Sequence, residues 1–198
     1  LTQFGNDTHV PCDDTKCDYD SCSCTHYQTI EYNKTVQLVL TNFGRHAAAM
    51  HPVHLHGHSF YVLQTGFPDF DPVTGRLLNN ITSNIECING TVCAVQKWKP
   101  GYPKDLNLEN APQKDTVVVA PGSYVVVRFV SDNPGWWHLH CHMTQHLYYG
   151  LGMILNEAPQ EQKLFPPPAG FPTCGNFKTE SISDSRKMWE NLKAKRAP

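Results

Sequence analysis

Nine consecutive residues, His138-Leu139-His140-Cys141-His142-Met143-Thr144-Gln145-His146, carry four histidines and a cysteine. An earlier stretch, His51-Pro52-Val53-His54-Leu55-His56-Gly57-His58, carries four more, so the two windows hold eight of the eleven histidines in the chain. Imidazole and thiolate are soft-to-borderline ligands suited to copper, zinc or iron. The chemistry these residues point to is that of a metal, and the rest of the chain must bring the two windows together.

Side-chain parity sorts the donors. In a strand, residues two apart share a face and the residue between them points the other way. If the second window begins as a strand, His140 and His142 face one side and Cys141 the other, and one metal does not easily take all three. In the first window His54 and His56 share a face and His51 has the opposite parity, with Pro52 able to disturb strict alternation. His51, Cys141 and His146 can then meet as a His2Cys set, the trigonal ligand set of a blue copper site. His54, His56, His140 and His142 are left for a second centre on the other side. The Cys141 sulfur is joined through the adjacent backbone to two ligands of that centre, which suits moving electrons between two copper sites. A structural zinc or a histidine-rich metal buffer is the plainer alternative, and strand context and the His-Cys-His spacing argue against it. His58 and His138 continue the strand faces beyond the ligands and read as packing or hydrogen-bonding residues.

The elements that must position these windows are strands. Residues 29–33 and 35–41 alternate apolar and polar side chains, the pattern of half-buried strands, and Asn42-Phe43-Gly44 closes them as a turn. Further strands are expected over 59–64, 116–119, 123–130 and 150–155, with turns at Ala120-Pro121-Gly122 and Asp132-Asn133-Pro134-Gly135. Residues 66–114 are rich in Pro, Gly, Asn and Asp and too long for a structureless loop, so a surface excursion with short helices is expected. A short polar helix is expected over 181–195. Short strands separated by Gly/Pro turns predict an all-β sandwich. Its domains are a cysteine-rich segment at 1–27, a body at 28–160 and a tail at 161–198.

Composition narrows the setting. The chain has 198 residues, enough for one sizeable domain, with 40% hydrophobic and 17% charged residues. A net charge of −2 without a basic patch gives no sign of nucleic-acid binding, and no apolar run reaches the length of a membrane span. The start lacks both an initiator Met and a signal peptide, so a processed chain or a fragment is expected. Asn6, Asn33, Asn80 and Asn89 each begin an N-glycosylation acceptor tripeptide. The eight cysteines include Cys12, Cys17, Cys22 and Cys24 in a polar N-terminal run, Cys87 and Cys93 around a short loop, and Cys174 near the end. The first four lack a CxxC, so disulfides are expected there rather than a zinc knuckle, and the chain reads as secreted. With Cys141 set aside as a ligand the remaining number is odd: either one is free, or one pairs with another chain.

The motifs HPVHLHGH at 51–58 and HCHMTQH at 140–146, followed by Gly150-Leu151, resemble the copper-binding signatures of the multicopper oxidases. The group includes laccases, ascorbate oxidase and ceruloplasmin-type ferroxidases. The resemblance spans roughly residues 28–157, takes in Asp115-Thr116-Val117 and Asp132-Asn133-Pro134-Gly135-Trp136, and is strongest to the C-terminal cupredoxin domain of a laccase-like enzyme. It implies a cupredoxin-like Greek-key sandwich. His51, Cys141 and His146 would bind a type 1 copper that takes electrons from a small reducing substrate. His54 would bind a type 2 copper, and His56, His140 and His142 a type 3 pair. That trinuclear cluster reduces O2 to water in the family.

Two departures accompany the resemblance. The position ten residues after the cysteine, Met in much of the family, is Leu151 here; it cannot ligate, so a three-coordinate site of relatively high reduction potential is expected, with Met153 the other candidate neighbour. The family's cluster also needs histidines from an N-terminal domain, and His9, His26 and His46 are isolated. The resemblance therefore implies a partner, the rest of the same precursor or a separate chain, with Cys174 the expected disulfide link. Phenols and aromatic amines are the default substrates; Gln145 is placed to touch substrate, Tyr148 and Tyr149 to line the approach or to pack, and Trp136 and Trp137 to join the core or wall the site. The competing function is a non-catalytic electron carrier or copper-binding protein using only His51, Cys141 and His146.

Overall fold

The computed structural model describes residues 26–43, 50–76, 78–79, 81–88, 96–164, 166 and 168–171. Cys12, Cys17, Cys22, Cys24, Cys93, Cys174, the acceptor sites at Asn6, Asn80 and Asn89, His9, His46 and the helix expected over 181–195 lie outside the described residues.

The strands are β1 (Tyr27–Ile30), β2 (Thr35–Asn42), β3 (His51–Leu55), β4 (Phe60–Gly66), β5 (Ile85–Cys87), β6 (Gln96–Trp98), β7 (Gln113–Lys114), β8 (Thr116–Val119), β9 (Ser123–Val130), β10 (Gly135–Cys141) and β11 (Gly152–Glu157). A single α-helix among the described residues, α1 (Thr144–Tyr148), lies between β10 and β11, and a 3-10 turn at Glu161–Leu164 follows. One sheet runs in the order β1-β11-β10-β3-β8 and the other β2-β9-β4-β7, with β5 and β6 paired separately. β1 is parallel to β11; β10 is antiparallel to both β11 and β3. From β1 to β4, and again from β8 to β10, the chain alternates between the two sheets. This is the all-β, cupredoxin-like Greek-key sandwich that the strand pattern and the motifs imply.

The alternation in β9 shows how the layers are held. Val125, Val127 and Phe129 point to one side and join Leu55, Phe60, Val119, Leu139 and Leu155 in the core between the sheets. Tyr124 and Val126 point to the other side and pack with Leu63 and Ile85, with Trp98 laid against them. Each such aliphatic or Phe side chain contributes about 1.5–3 kcal/mol relative to leaving it in water. β9 is therefore apolar on both faces, because the 66–114 excursion covers its outer side. The helices expected in that excursion are not found among its described residues. A strand pair stands there instead, since Ile85 and Trp98, opposite each other in register, need a common face to reach Tyr124.

Local differences have local causes. β1 ends at Ile30 rather than continuing to Asn33, because Asn33 takes φ 55° in a turn, a conformation Asn tolerates. The α1 helix stands over Thr144–Tyr148, between β10 and β11, a segment for which no element was expected. Gly150 ends it at φ 88°, its N–H bonding Leu147 O at 3.0 Å, the left-handed exit that glycine supplies at helix ends.

Candidate metal centre

The register of β10 against β3 decides which histidines meet. Leu139 lies across from Leu55, His140 from His54 and Cys141 from Val53. The ladder continues past the strand end, with His56 N–H donating to His138 O at 2.9 Å and His142 N–H to Pro52 O at 2.7 Å. β3 runs unbroken from His51 to Leu55, with Pro52 across from Val118, so the proline leaves the alternation intact. One face of this ribbon carries Val53, Leu55 and Leu139 into the core. Cys141 shares that face, is free of disulfide and is 1% exposed. The short α1 helix returns His146 to it. Cys141 Sγ lies 3.7 Å from His51 Nδ1 and 3.5 Å from His146 Nδ1, and the two nitrogens are 3.0 Å apart. A first-row ion bonded at about 2.0 Å to nitrogen and about 2.3 Å to sulfur in a trigonal plane would set S–N at about 3.7 Å and N–N at about 3.5 Å. The three donors fit such an ion with a shift of about 0.5 Å.

The opposite face carries His54, His56, His138, His140 and His142. His54 Nδ1 lies 2.9 Å from both Asp115 O and Thr116 Oγ1, and His140 Nδ1 lies 2.9 Å from Cys141 O. A carbonyl only accepts, so both Nδ1 atoms carry the proton and both Nε2 lone pairs are free for a metal. His140 Nε2 is 3.0 Å from His56 Nε2. The His54 ring centroid is 4.9 Å from that of His56 and 5.6 Å from that of His142. Burial, then the charges of His54, His140 and His142, hold the His56 pKa below the ordinary 6.5. Burial and then His146 do the same for His51, and burial followed by His140 and His56 for His138. All three are held toward the neutral, ligating form. His140 is buried while His56 and His142 are exposed, so this face opens outward, into a cleft lined by His54, His56, His58, Asp115 and Trp137.

A profile of the family described as multicopper oxidase matches residues 2–161. Laccase-24 of Oryza sativa subsp. japonica is 37% identical over 153 residues, 76% of this chain and 22% of its own length. Laccase-9 of Arabidopsis thaliana is 37% identical over 165 residues, 82% of this chain and 23% of its own length. The crystal structure of Fet3p, a multicopper oxidase that functions in iron import, aligns with a TM-score of 0.52 and 27% identity, covering 86% of this chain and 26% of that one. The chain belongs to the multicopper oxidase family. It is a laccase-like domain of that family, the family implies copper as the metal, and the chain spans under a quarter of the length of these plant relatives.

In this multicopper oxidase domain the seven expected ligands fall into the two groups that parity proposed, with His51, Cys141 and His146 on one side and His54, His56, His140 and His142 on the other. Cys141 N–H donates to Leu151 O at 3.0 Å, which sets Leu151 across from Cys141 on the same sheet face. Met153 lies across from Leu139 and packs on the core. His26 joins neither group; its carbonyl accepts from Ile154 N–H. Tyr148 and Tyr149 are 86% and 75% exposed beside His146, their rings 5.7 Å apart edge to face. Gln145 is exposed on the same helix. Trp137 walls the cleft and folds so closely over Gly57 that a Cβ there would lie 2.3 Å from its ring.

One functional residue escaped the sequence reading. Glu157 is fully buried, its Oε2 2.6 Å from His58 Nε2 and its Oε1 accepting from Asn133 N–H at 2.8 Å. Asn133 in turn donates to Gly57 O at 2.8 Å and accepts from Trp137 Nε1 at 2.7 Å. The carboxylate thus pins the loop after the first window to the turn before the second. Its signal was available: Met153, Leu155 and Glu157 share strand parity, which predicts an inward-facing carboxylate needing a partner. His58 supplies it, the hydrogen-bonding role the sequence suggested. His138 stacks on His140 with ring centroids 4.4 Å apart, the packing role the sequence suggested, and stands on the face of His56 and His140.

Proposed function

We propose that this chain is the C-terminal copper-binding part of a secreted laccase-like oxidase. His51, Cys141 and His146 hold a type 1 copper with Leu151 as its non-ligating axial neighbour, His54 holds a type 2 copper, and His56, His140 and His142 hold a type 3 pair. The trinuclear cluster is completed by N-terminal multicopper oxidase domains of the same precursor or of a separate chain. When bound, copper supplies one-electron oxidation of a small reducing substrate on the Cys141 face and four-electron reduction of O2 to water on the histidine face.

The observation that carries this reading is the junction at Cys141. Its thiolate belongs to one donor set, its carbonyl accepts the Nδ1–H of His140 in the other at 2.9 Å, and its neighbours in sequence are both ligands of the second set. One residue therefore links the two faces through a short covalent path and a hydrogen bond. Exposed Tyr148 and Tyr149 offer flat apolar surfaces beside His146, and Thr144–Tyr148 include no carboxylate. Both features favour phenols and aromatic amines over a metal-ion substrate. Secretion is supported by the four acceptor tripeptides, of which Asn33 stands exposed in a turn, and by a disulfide at Cys87. Cys174 remains the proposed link to the partner.

Copper titration followed by absorption and electron paramagnetic resonance tests the assignment. An intense blue band should form and be lost in Cys141→Ser. Combined with the N-terminal domains, the chain should then consume oxygen with a diphenol, and ascorbate and ferrous iron are the comparison substrates. A blue copper alone, with no oxygen uptake in the combined protein, would replace the oxidase by an electron carrier.

A further inference from the structure

We propose that His138 is a metal-binding residue. With His56 and His140 it forms a three-imidazole site at which this chain, without any other polypeptide, holds one copper ion on its oxygen-side face. The inference rests on the assignment of that face to copper and adds a donor to it.

Three independent features place His138 there. The extended ladder sets it across from His56, whose N–H donates to His138 O at 2.9 Å, and strand parity gives it the same face as His140 and His142. Its ring stacks on that of His140 with centroids 4.4 Å apart and an interplanar angle of 29°. One donor nitrogen from each of His56, His138 and His140 falls within a common 4.8 Å. Imidazole–metal bonds of about 2.0–2.1 Å bring ligand nitrogens to within about 4 Å of one another. Closing the set therefore takes less than about 1 Å of side-chain movement.

The neighbouring strand leaves room for this ring. Gly152 lies across from His140 in β11, and a Cβ there would lie 2.8 Å from His138 Nε2 and 3.1 Å from His140 Cβ. A side chain at 152 would displace the far end of the His138 ring, so the glycine leaves space for the ring where it stands. His138 also differs from the other inner histidines in its bonding. His54, His58 and His140 each have a ring nitrogen committed to a protein acceptor. Among the described residues the partly buried His138 ring has no hydrogen-bond partner, which leaves its lone pair for a metal.

The test uses the full chain with Cys141→Ser, which removes the thiolate site, titrated with Cu(II) alone. Equilibrium dialysis reads affinity and electron paramagnetic resonance counts coordinated nitrogens. One copper with three nitrogens is expected. Adding His138→Phe, which keeps a stacking ring but no donor, should leave two nitrogens and weaken binding by at least about 10-fold, the low end of what even an outer-shell partner of a ligating histidine is worth. Adding Gly152→Ala instead should weaken binding in the same direction. Unchanged affinity and three nitrogens in the His138→Phe protein would overturn the proposal, as would failure of the Cys141→Ser chain to bind copper. His138→Phe in the chain that retains Cys141 separates the two assignments: a blue band there leaves the oxidase reading standing even if His138 proves to be no ligand.

Discussion

Replacing Glu157 with alanine removes the carboxylate that both His58 Nε2 and Asn133 N–H meet, at 2.6 Å and 2.8 Å. Glu157 is 0% exposed and the His58 side chain 5%, so bulk water does not compete for either bond in the folded chain. Losing two hydrogen bonds to a buried carboxylate costs about 1.5–3 kcal/mol each, a large part of the roughly 5–15 kcal/mol that holds a domain folded. For a chain of about 200 residues each kcal/mol is worth roughly 2–4 °C, so the midpoint of thermal unfolding should fall by about 6–24 °C. Circular dichroism melts of the metal-free chain measure it. His58→Phe should also destabilise, and the double variant should be little worse than the poorer single one, because both remove the same contact. A loss below about 1 kcal/mol in Glu157→Ala, or full additivity of the two substitutions, would refute the idea that this carboxylate joins the two windows.

Other expectations follow from the same geometry. Gly57→Ala forces a side chain into φ 77° and to within 2.3 Å of the Trp137 ring. Left-handed strain of about 1–2 kcal/mol and overpacking of about 1–3 kcal/mol should appear as a lower unfolding midpoint. His51, His56 and His138 bind protons less readily when folded than at their ordinary 6.5. Between those lowered values and 6.5 the unfolded chain holds more protons, so stability falls as pH drops through that window and is fully present above it. Melts of the metal-free chain at descending pH should show this, and a midpoint that rises on acidification would contradict it. Leu151→Met places a thioether across from Cys141 and should lower the reduction potential of the blue copper in a redox titration; an unchanged potential would remove residue 151 from the axial position.

Much of the site was legible because strand parity is a local property. The divergence of Cys141 from His140 and His142 needs only the alternation of side chains along β10, and the separation of His51 from His54 and His56 needs only that Pro52 not break β3. The inter-sheet core was less legible, since Tyr124 and Val126 are as apolar as Val125, Val127 and Phe129, and β9 alone does not say which face lies between the sheets. The excursion was harder to read. Whether Ile85 and Trp98 lie in helices or strands depends on Tyr124, which waits for them on another sheet and leaves no mark in their own sequence.

The histidine and cysteine types, their spacing and their division between two faces were determined by the sequence, because each follows from covalent neighbours. Which imidazole meets which was decided by the tertiary structure. The pairing of β10 with β3 sets His140 against His54 and His138 against His56, the turn of α1 returns His146 to Cys141, and Glu157 reaches His58 across a separation of 99 residues. These contacts depend on strand register and on packing between segments distant in the chain, where a shift of one residue would send every side chain to the other face. His138 was placed on the face of His56 and His140 by that register and by the space left at Gly152.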